Sequence, residues 1–317
     1  MKCHHPSRPW AAIGLLALTV LLSACSNEAP AASGSPAPPS ATGTSSPAQT
    51  PMAALALLEE AAKAAENISN YAYTLHLSQD LSGGAAEASH LQVDNEGKVE
   101  RSPLRIDQTV TSEMDGEKSS LRAILEPGAY YVYDPDLTEW GKLAKDQADQ
   151  VAETLSDYQT NPAQALREIA KLGGGLSLTR QGEHDVLRYE GSGPEAEAFL
   201  KRVLEGTLDL GSLDEQVRNS VDVKSLTVIV TLDDAKRLPV AYSIASEMTI
   251  EYEAGKPSKL LQTLSGTYDK ADAISPIVVP EAAKQAPELD APIDDPAADD
   301  GNLGSIDDLE DPTVLNP

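Results

Sequence analysis

Residues 71–78, YAYTLHLS, decide the fold class of this chain. Tyr71, Tyr73, Leu75 and Leu77 alternate with Ala72, Thr74, His76 and Ser78, the period of two that marks a half-buried strand. The stretch before it keeps a different period. In residues 52–68, MAALALLEEAAKAAENI, Leu55, Leu58, Ala62, Ala65 and Ile68 recur every three or four positions. Alanine and glutamate favour helix throughout that run. One helix therefore feeds directly into a strand.

Further strands follow on the C-terminal side. Gly83-Gly84 reads as a loop, and alternation returns from Leu91 through Val93 toward Val99, then from Leu104 through Ile106 to Val110. Asp115-Gly116 predicts a tight hairpin into a strand over Ser119 to Leu125. Pro127-Gly128 leads to the strand Ala129 to Asp134, closing on Trp140-Gly141-Lys142. The middle changes to helix: a polar stretch from Leu143 to Tyr158, then Asn161-Pro162 as cap and first turn of a helix reaching Lys171. Gly173-Gly174-Gly175 stops it. Short strands at Leu176 to Leu178 and Asp185 to Tyr189 precede a helix over 194–209, PEAEAFLKRVLEGTLD. Strands then close the body at Val221 to Leu232, Val240 to Glu253 and Ser258 to Tyr268, the last pair separated by the turn Ala254 to Pro257. Ile274 to Val279 ends the body, and Pro280 to Ala283 is a helical stub. The class is α+β, an antiparallel meander after one helix and a second strand group after a helical middle.

Flanking this body are segments of another kind. Residues 10–25, WAAIGLLALTVLLSAC, are an apolar run preceded by Lys2 and Arg8 and ended by Leu22-Ser23-Ala24-Cys25. The basic start, the short apolar stretch and the small residues at its end are those of a secretion signal. A bilayer span wants about 20 apolar residues. Residues 1–24 are expected to be a signal peptide, with Cys25 the residue that carries lipid. Residues 25–50 are a Ser/Pro/Ala tether with too little apolar area to order itself. The folded domain is expected over 51–286. Residues 287–317 form an acidic tail without an apolar period; its paired aspartates lack the spacing of a calcium loop.

Composition narrows the function. The two cysteines are Cys3 and Cys25, so the mature body has no disulfide, no thiol nucleophile and no cysteine-based zinc site. Fifty acidic residues against 24 basic ones give a net charge of -26, which repels nucleic acid and anionic headgroups. Contact with the membrane is expected through the lipid on Cys25. Aromatics are only 4% of the chain, and ten of them are tyrosine.

Three local features carry a resemblance. They are the opening helix running into Tyr71-Ala72-Tyr73, the strand Gly128-Ala129-Tyr130-Tyr131-Val132-Tyr133 followed by Trp140, and a final strand ending in Ile277-Val278-Val279-Pro280-Glu281-Ala282. The chain resembles the lipoprotein superfamily typified by the carrier LolA and the mycobacterial lipoprotein LppX. More closely it resembles the DUF6612 group of Firmicute surface lipoproteins, over roughly residues 52–284. The resemblance implies a strongly curved antiparallel sheet, a half-barrel, wrapping helices around an apolar interior. It also implies a lipid-anchored protein on the outer face of a Gram-positive cell membrane, with a general capacity to bind acyl chains.

No catalytic motif accompanies these features. His76, His90 and His184 are isolated and lack zinc-site spacing. Gly173 to Gly175 lacks the lysine and hydroxyl residue of a phosphate loop, and there is no G-x-S-x-G elbow. Neither a metal nor a cofactor is expected. Tyrosine and tryptophan join apolar area to a polar handle. In that light Tyr131, Tyr133 and Trp140 have two readings, as sheet packing or as the rim of a ligand site. On the second reading, Tyr71, Tyr73 and Tyr189 line the same concavity, with Leu226, Val228 and Val230 as apolar wall. The expected function is that of a non-catalytic, extracytoplasmic binding or carrier protein for a hydrophobic ligand held in the half-barrel. The alternative is a structural or regulatory envelope protein that binds another protein, its concavity filled by its own helices.

Overall fold

A computed structural model describes residues 51–289 except 85–87 and 209. The expected signal peptide, Cys25, the tether and the tail from residue 290 lie outside the described residues. The helices are α1 (Pro51–Glu66), α2 (Lys145–Thr154), α3 (Asp157–Thr160), α4 (Pro162–Ala170), α5 (Pro194–Thr207), α6 (Glu215–Asn219) and α7 (Glu281–Lys284). The strands are β1 (Asn70–Ser82), β2 (Ser89–Arg101), β3 (Leu104–Met114), β4 (Glu117–Glu126), β5 (Ala129–Asp134), β6 (Glu139–Leu143), β7 (Ser177–Gln181), β8 (His184–Gly191), β9 (Asp222–Asp233), β10 (Pro239–Glu253) and β11 (Lys256–Asp269). None of these helices is long and apolar enough to cross a membrane.

All eleven strands belong to one open antiparallel sheet in the order β6-β5-β4-β3-β2-β1-β11-β10-β9-β8-β7. The chain meanders outward from the middle to the edge at β6, then reappears at the opposite edge as β7 and meanders back. Between those edges it must traverse the whole sheet, and it does so as α2, α3 and α4. That crossing lays helices over one face. Ala163, Leu166 and Ile169 of α4 share a buried cluster with Leu58 and Ala62 of α1, Phe199 and Leu200 of α5, and Val228, Ile244 and Leu264 of the sheet. The half-barrel is thus wrapped around its own helices.

Local sequence explains most elements. Asp115 (φ 51°) and Gly116 (φ 90°) both take the left-handed conformation that a two-residue hairpin turn requires. Asn161 caps α4 through its side chain, which accepts from the Gln164 N–H, with Pro162 in the first turn. The end of α1 is satisfied from the sheet: the Arg101 guanidinium donates to the carbonyls of Ala65 and Glu66 at 2.9 and 3.2 Å, and to that of Ile68, just past the helix, at 3.0 Å.

Three expectations change. The polar stretch from Leu143 to Tyr158 is not one helix. It breaks at Leu155, whose ψ of 133° is extended, and restarts as the single turn α3 with Ser156 as its cap. The helix expected to reach residue 209 ends at Thr207, and α6 adds a short helix before β9. Ile274 to Val279 forms no strand. Its backbone is held by side chains instead: Asn70 Oδ1 accepts from Ile274 N–H at 3.2 Å, and Glu100 Oε1 from Ile277 N–H at 2.8 Å.

This C-terminal strap, which ends in α7, crosses the convex face of the sheet, opposite the face that carries α1, α4 and α5. Ile277, Val279 and Ala283 form a second small core with Ile124, Ala129 and Tyr131, and Trp140 packs against it. Order continues past the expected boundary at residue 286. Lys142 N–H donates to Pro287 O at 3.0 Å and Leu289 N–H to Lys142 O at 2.8 Å, so the chain covers part of the open edge of β6. Ile277 is 3% exposed. Ile277→Ala is expected to destabilise by about 2 kcal/mol, the low end for such a truncation because a strap can settle into the space. A urea unfolding curve reads this as a lower midpoint at unchanged slope. An unchanged midpoint would mean that the strap only rests on the sheet.

Candidate functional site

Register assigns each sequence-singled residue to a face. Tyr71 and Tyr73 of β1 point to the helix side, as do Leu226, Val228 and Val230 of β9 and Tyr189 of β8, which pairs directly with Val228. All six are buried, between 1% and 6% exposed. Tyr131, Tyr133 and Trp140 lie on the other side. In the β3–β4–β5–β6 ladders Ile106 pairs with Leu125, Leu125 with Tyr130 and Tyr130 with Leu143, all on the inner face. Tyr131, Tyr133 and Trp140 therefore share the convex face with Ile124 and Arg122. The nine residues do not meet around one concavity. Alternation along β5 separates Tyr130 from Tyr131 correctly, but only the register across five strands tells which of them faces the helices.

On the convex face the Tyr133 and Trp140 rings lie 5.3 Å apart, and the Arg122 guanidinium sits 5.8 Å from the Trp140 ring centre. Arg122 is fixed there by two hydrogen bonds to the Asp107 carboxylate, both 2.9 Å. Of this group, Trp140 packs against the small core beneath the strap. His76 and His90 also face outward on β1 and β2, each beside one aspartate: His76 Nδ1 is 2.6 Å from Asp94 and His90 Nδ1 is 2.8 Å from Asp80. His184 is exposed at the start of β8. Among the described residues no three histidine, cysteine or acidic side chains are grouped to hold a metal ion.

The concave face is filled. Its centre is a layer of tyrosines onto which α3 is docked. Tyr71 Oη donates to Gln159 O at 2.5 Å, and Tyr268 Oη to Tyr158 O at 2.8 Å. The Tyr158 ring lies 4.8 Å from that of Tyr242, which lies 5.7 Å from Tyr268. Next to them is a polar knot in otherwise apolar surroundings. The single Tyr73 O–H donates to Gln108 Oε1 at 2.6 Å, with Asn95 Oδ1 as a further acceptor 3.1 Å away, and Asn95 Nδ2 donates to Gln108 Oε1 at 3.1 Å. Gln159 of α3 reaches the same knot, donating to Tyr73 Oη at 3.3 Å. Burial pushes the hydroxyls of Tyr71, Tyr73, Tyr158, Tyr242 and Tyr268 far above the ordinary phenol value, and that of Tyr130 up to about 12. They remain neutral at any physiological pH.

The open space lies on the far side of α3, within the helix layer. A cleft of 560 Å³ is bounded by the end of α2, the Leu155-Ser156 break, α3, α4 and α5. That volume falls within the range of small-molecule pockets, about 300–1,000 Å³. Leu155, Tyr158, Ala165, Phe199 and Val203 give it an apolar floor, while Glu153, Asp157, Glu168, Arg202 and Glu205 form its polar rim. Glu168 is neutralised on two sides, by Arg202 Nε at 2.7 Å and Lys171 Nζ at 2.5 Å. Asp157 has no such cation among the described residues. Desolvation, reinforced by the Glu168 charge, holds its carboxyl above the usual range. Tyr158 is 7% exposed, and its hydroxyl has no hydrogen-bond partner among the described residues. None of these residues was singled out from the sequence. Leu155 to Tyr158 closes a stretch with sparse apolar positions, and the cleft is assembled from helices about forty residues apart, for which a linear pattern carries no signal.

Solved structures with some similarity include lipovitellin, described for its lipid–protein interactions, at 7% identity and a TM-score of 0.27. That match covers 66% of this chain and 26% of lipovitellin, so the chain spans about a quarter of that protein's length. A LolA superfamily protein from Nitrosomonas europaea matches at 7% identity and a TM-score of 0.24, over 72% of this chain and 96% of that one. Likeness at these scores carries no argument about a ligand. No curated protein sequence matches the chain. Residues 53–288 match the model of a family of unknown function, DUF6612, and the chain belongs to that family.

Proposed function

We propose that this chain is a non-catalytic binding protein, held by a lipid on Cys25 at the outer face of the cell membrane. Its ligand is an amphiphile whose apolar part enters the cleft between α3, α4 and α5. The observation that carries this reading is the cleft itself, with an apolar floor of Phe199, Val203 and Ala165. The concave sheet face is the less favourable place for a ligand. Tyr71, Tyr73, Tyr189, Leu226, Val228 and Val230 already pack against the chain's own helices, so entry there requires displacing a core.

Gly206 offers a clean test. It lines the cleft from α5, and a Cβ built on it meets nothing closer than 3.8 Å. Gly206→Phe therefore fills the cleft without entering the core, and removing a helical glycine does not weaken α5. The chain from Ser26 to Pro317 would be secreted by its own host and weighed by native mass spectrometry, with organic extraction of any adduct. A reproducible amphiphile adduct that disappears in Gly206→Phe, at unchanged melting temperature, is the expected result. An adduct retained in that variant places the ligand elsewhere. A bare mass together with no uptake of offered amphiphiles overturns the reading. It would favour the second one, an envelope protein that binds another protein, which the helix-filled concavity supports.

A further inference from the structure

We infer that the cleft selects amphiphiles with a positively charged head, an alkylammonium or guanidinium group, over neutral or anionic ones of the same chain. This inference rests on the cleft being a ligand site. Four carboxylates border the apolar floor, those of Glu153, Asp157, Glu168 and Glu205, against the single guanidinium of Arg202. Arg202 is engaged by Glu168, its Nε 2.7 Å from Oε2. Glu153, Asp157 and Glu205 make no ion pair among the described residues. An anionic head entering the cleft would meet three uncompensated charges, whereas a cation would be drawn to each of them.

A second observation is independent of the charges. The Tyr158 ring is packed between the cleft and Tyr242, and its hydroxyl is buried without a partner. A buried hydroxyl without a hydrogen bond is costly to the fold. Its lone pairs suit the N–H donors of an ammonium or guanidinium head, which reach them once the Tyr158 side chain turns toward the cleft. Asp157 carries a related cost, since its carboxyl is half-buried beside Glu168, and a cation in the cleft would relieve it.

Four probes with one twelve-carbon chain separate the outcomes: dodecylammonium, dodecyltrimethylammonium, dodecanol and dodecanoate. They would be titrated below their micellar concentrations into the chain from Ser26 to Pro317 by calorimetry. Both cations are expected to bind about tenfold or more tighter than dodecanol, with dodecanoate weakest; tenfold corresponds to about 1.4 kcal/mol. The double variant Asp157→Asn, Glu205→Gln should bring the cations to within about threefold of dodecanol. Because the whole chain is acidic, the site must be distinguished from its general surface, and Gly206→Phe should abolish binding of all probes. Cation binding that survives Gly206→Phe overturns the inference, as surface attraction. Dodecanol or dodecanoate binding as tightly as the cations, and lost in Gly206→Phe, overturns the charge selection while leaving the cleft as a ligand site. No binding by any probe overturns both.

Discussion

Raising the pH above 10 is expected to unfold the protein within little more than one pH unit. Six tyrosines, Tyr71, Tyr73, Tyr130, Tyr158, Tyr242 and Tyr268, have hydroxyls held above the ordinary phenol value chiefly by burial. In the unfolded chain the same groups titrate near pH 10. Below that pH both states keep the protons and the contribution to stability is complete. Above it, the unfolded ensemble releases protons that the folded state retains, so stability falls by about 1.4 kcal/mol per tyrosine per pH unit. Six such groups remove about 8 kcal/mol by pH 11, comparable with the whole stability of a domain, about 5–15 kcal/mol. Tyrosinate absorbance and far-ultraviolet circular dichroism should therefore change together in one steep step. Gradual ionisation near pH 10 with an unchanged dichroism spectrum would contradict it, because the tyrosine layer would then be open to water.

The second large effect is expected at Gly266. It pairs with Leu75 on β1 and Tyr242 on β10, on the concave face where side chains crowd as the sheet curves. A Cβ there would lie 2.3 Å from the Thr74 carbonyl oxygen and 2.5 Å from Tyr242 Oη. The tyrosine ring covers a glycine that has no side chain of its own to pack. Gly266→Ala is expected to destabilise by about 3 kcal/mol or more, since one of the two contacts is backbone and cannot swing aside. Tyr242→Phe removes the hydroxyl contact but leaves the carbonyl contact and the ring carbon that a Cβ would meet at 2.7 Å, so the double variant should remain unstable. Recovery of the wild-type denaturation midpoint in that double variant would show that the Tyr242 hydroxyl alone sets the requirement.

On the proposed reading, the sheet supports a ligand site in the helix layer rather than enclosing one itself. Its concave face holds α3 by hydrogen bonds from Tyr71 and Tyr268 to consecutive carbonyls, and α3 in turn forms one wall of the cleft. The tyrosine layer thus positions the cleft from behind, and the two predictions above probe that support rather than the ligand itself.

Much of the fold was legible in linear order because its causes are local. The alternation of Tyr71 to Ser78, the left-handed turn at Asp115-Gly116 and the cap at Asn161-Pro162 each depend on residues within a few positions of one another, and each appears where the pattern places it. The helix break at Leu155-Ser156 and the strap at Ile274 to Val279 were not legible. Ser156 is as acceptable inside a polar helix as at a cap, and Ile277 and Val279 alternate as a strand would. What decides them is distant: a tyrosine layer that takes the Tyr158 and Gln159 carbonyls, and the Asn70 and Glu100 side chains that hold the strap's backbone.

The sequence by itself determined most of the element types and their order, the antiparallel meander and which residues share a side of each strand, because helix and strand periods are properties of the local backbone. Only the tertiary structure decided that Tyr131, Tyr133 and Trp140 face away from Tyr71 and Tyr73, that the concavity is full, and that the open cleft lies among the helices. Those outcomes depend on the phase of one strand against its neighbours and on a crossing from β6 to β7. A period repeats without specifying its phase, and the apolar strap lets both faces of β4 and β5 be buried, so hydrophobicity alone does not say which face is the inside.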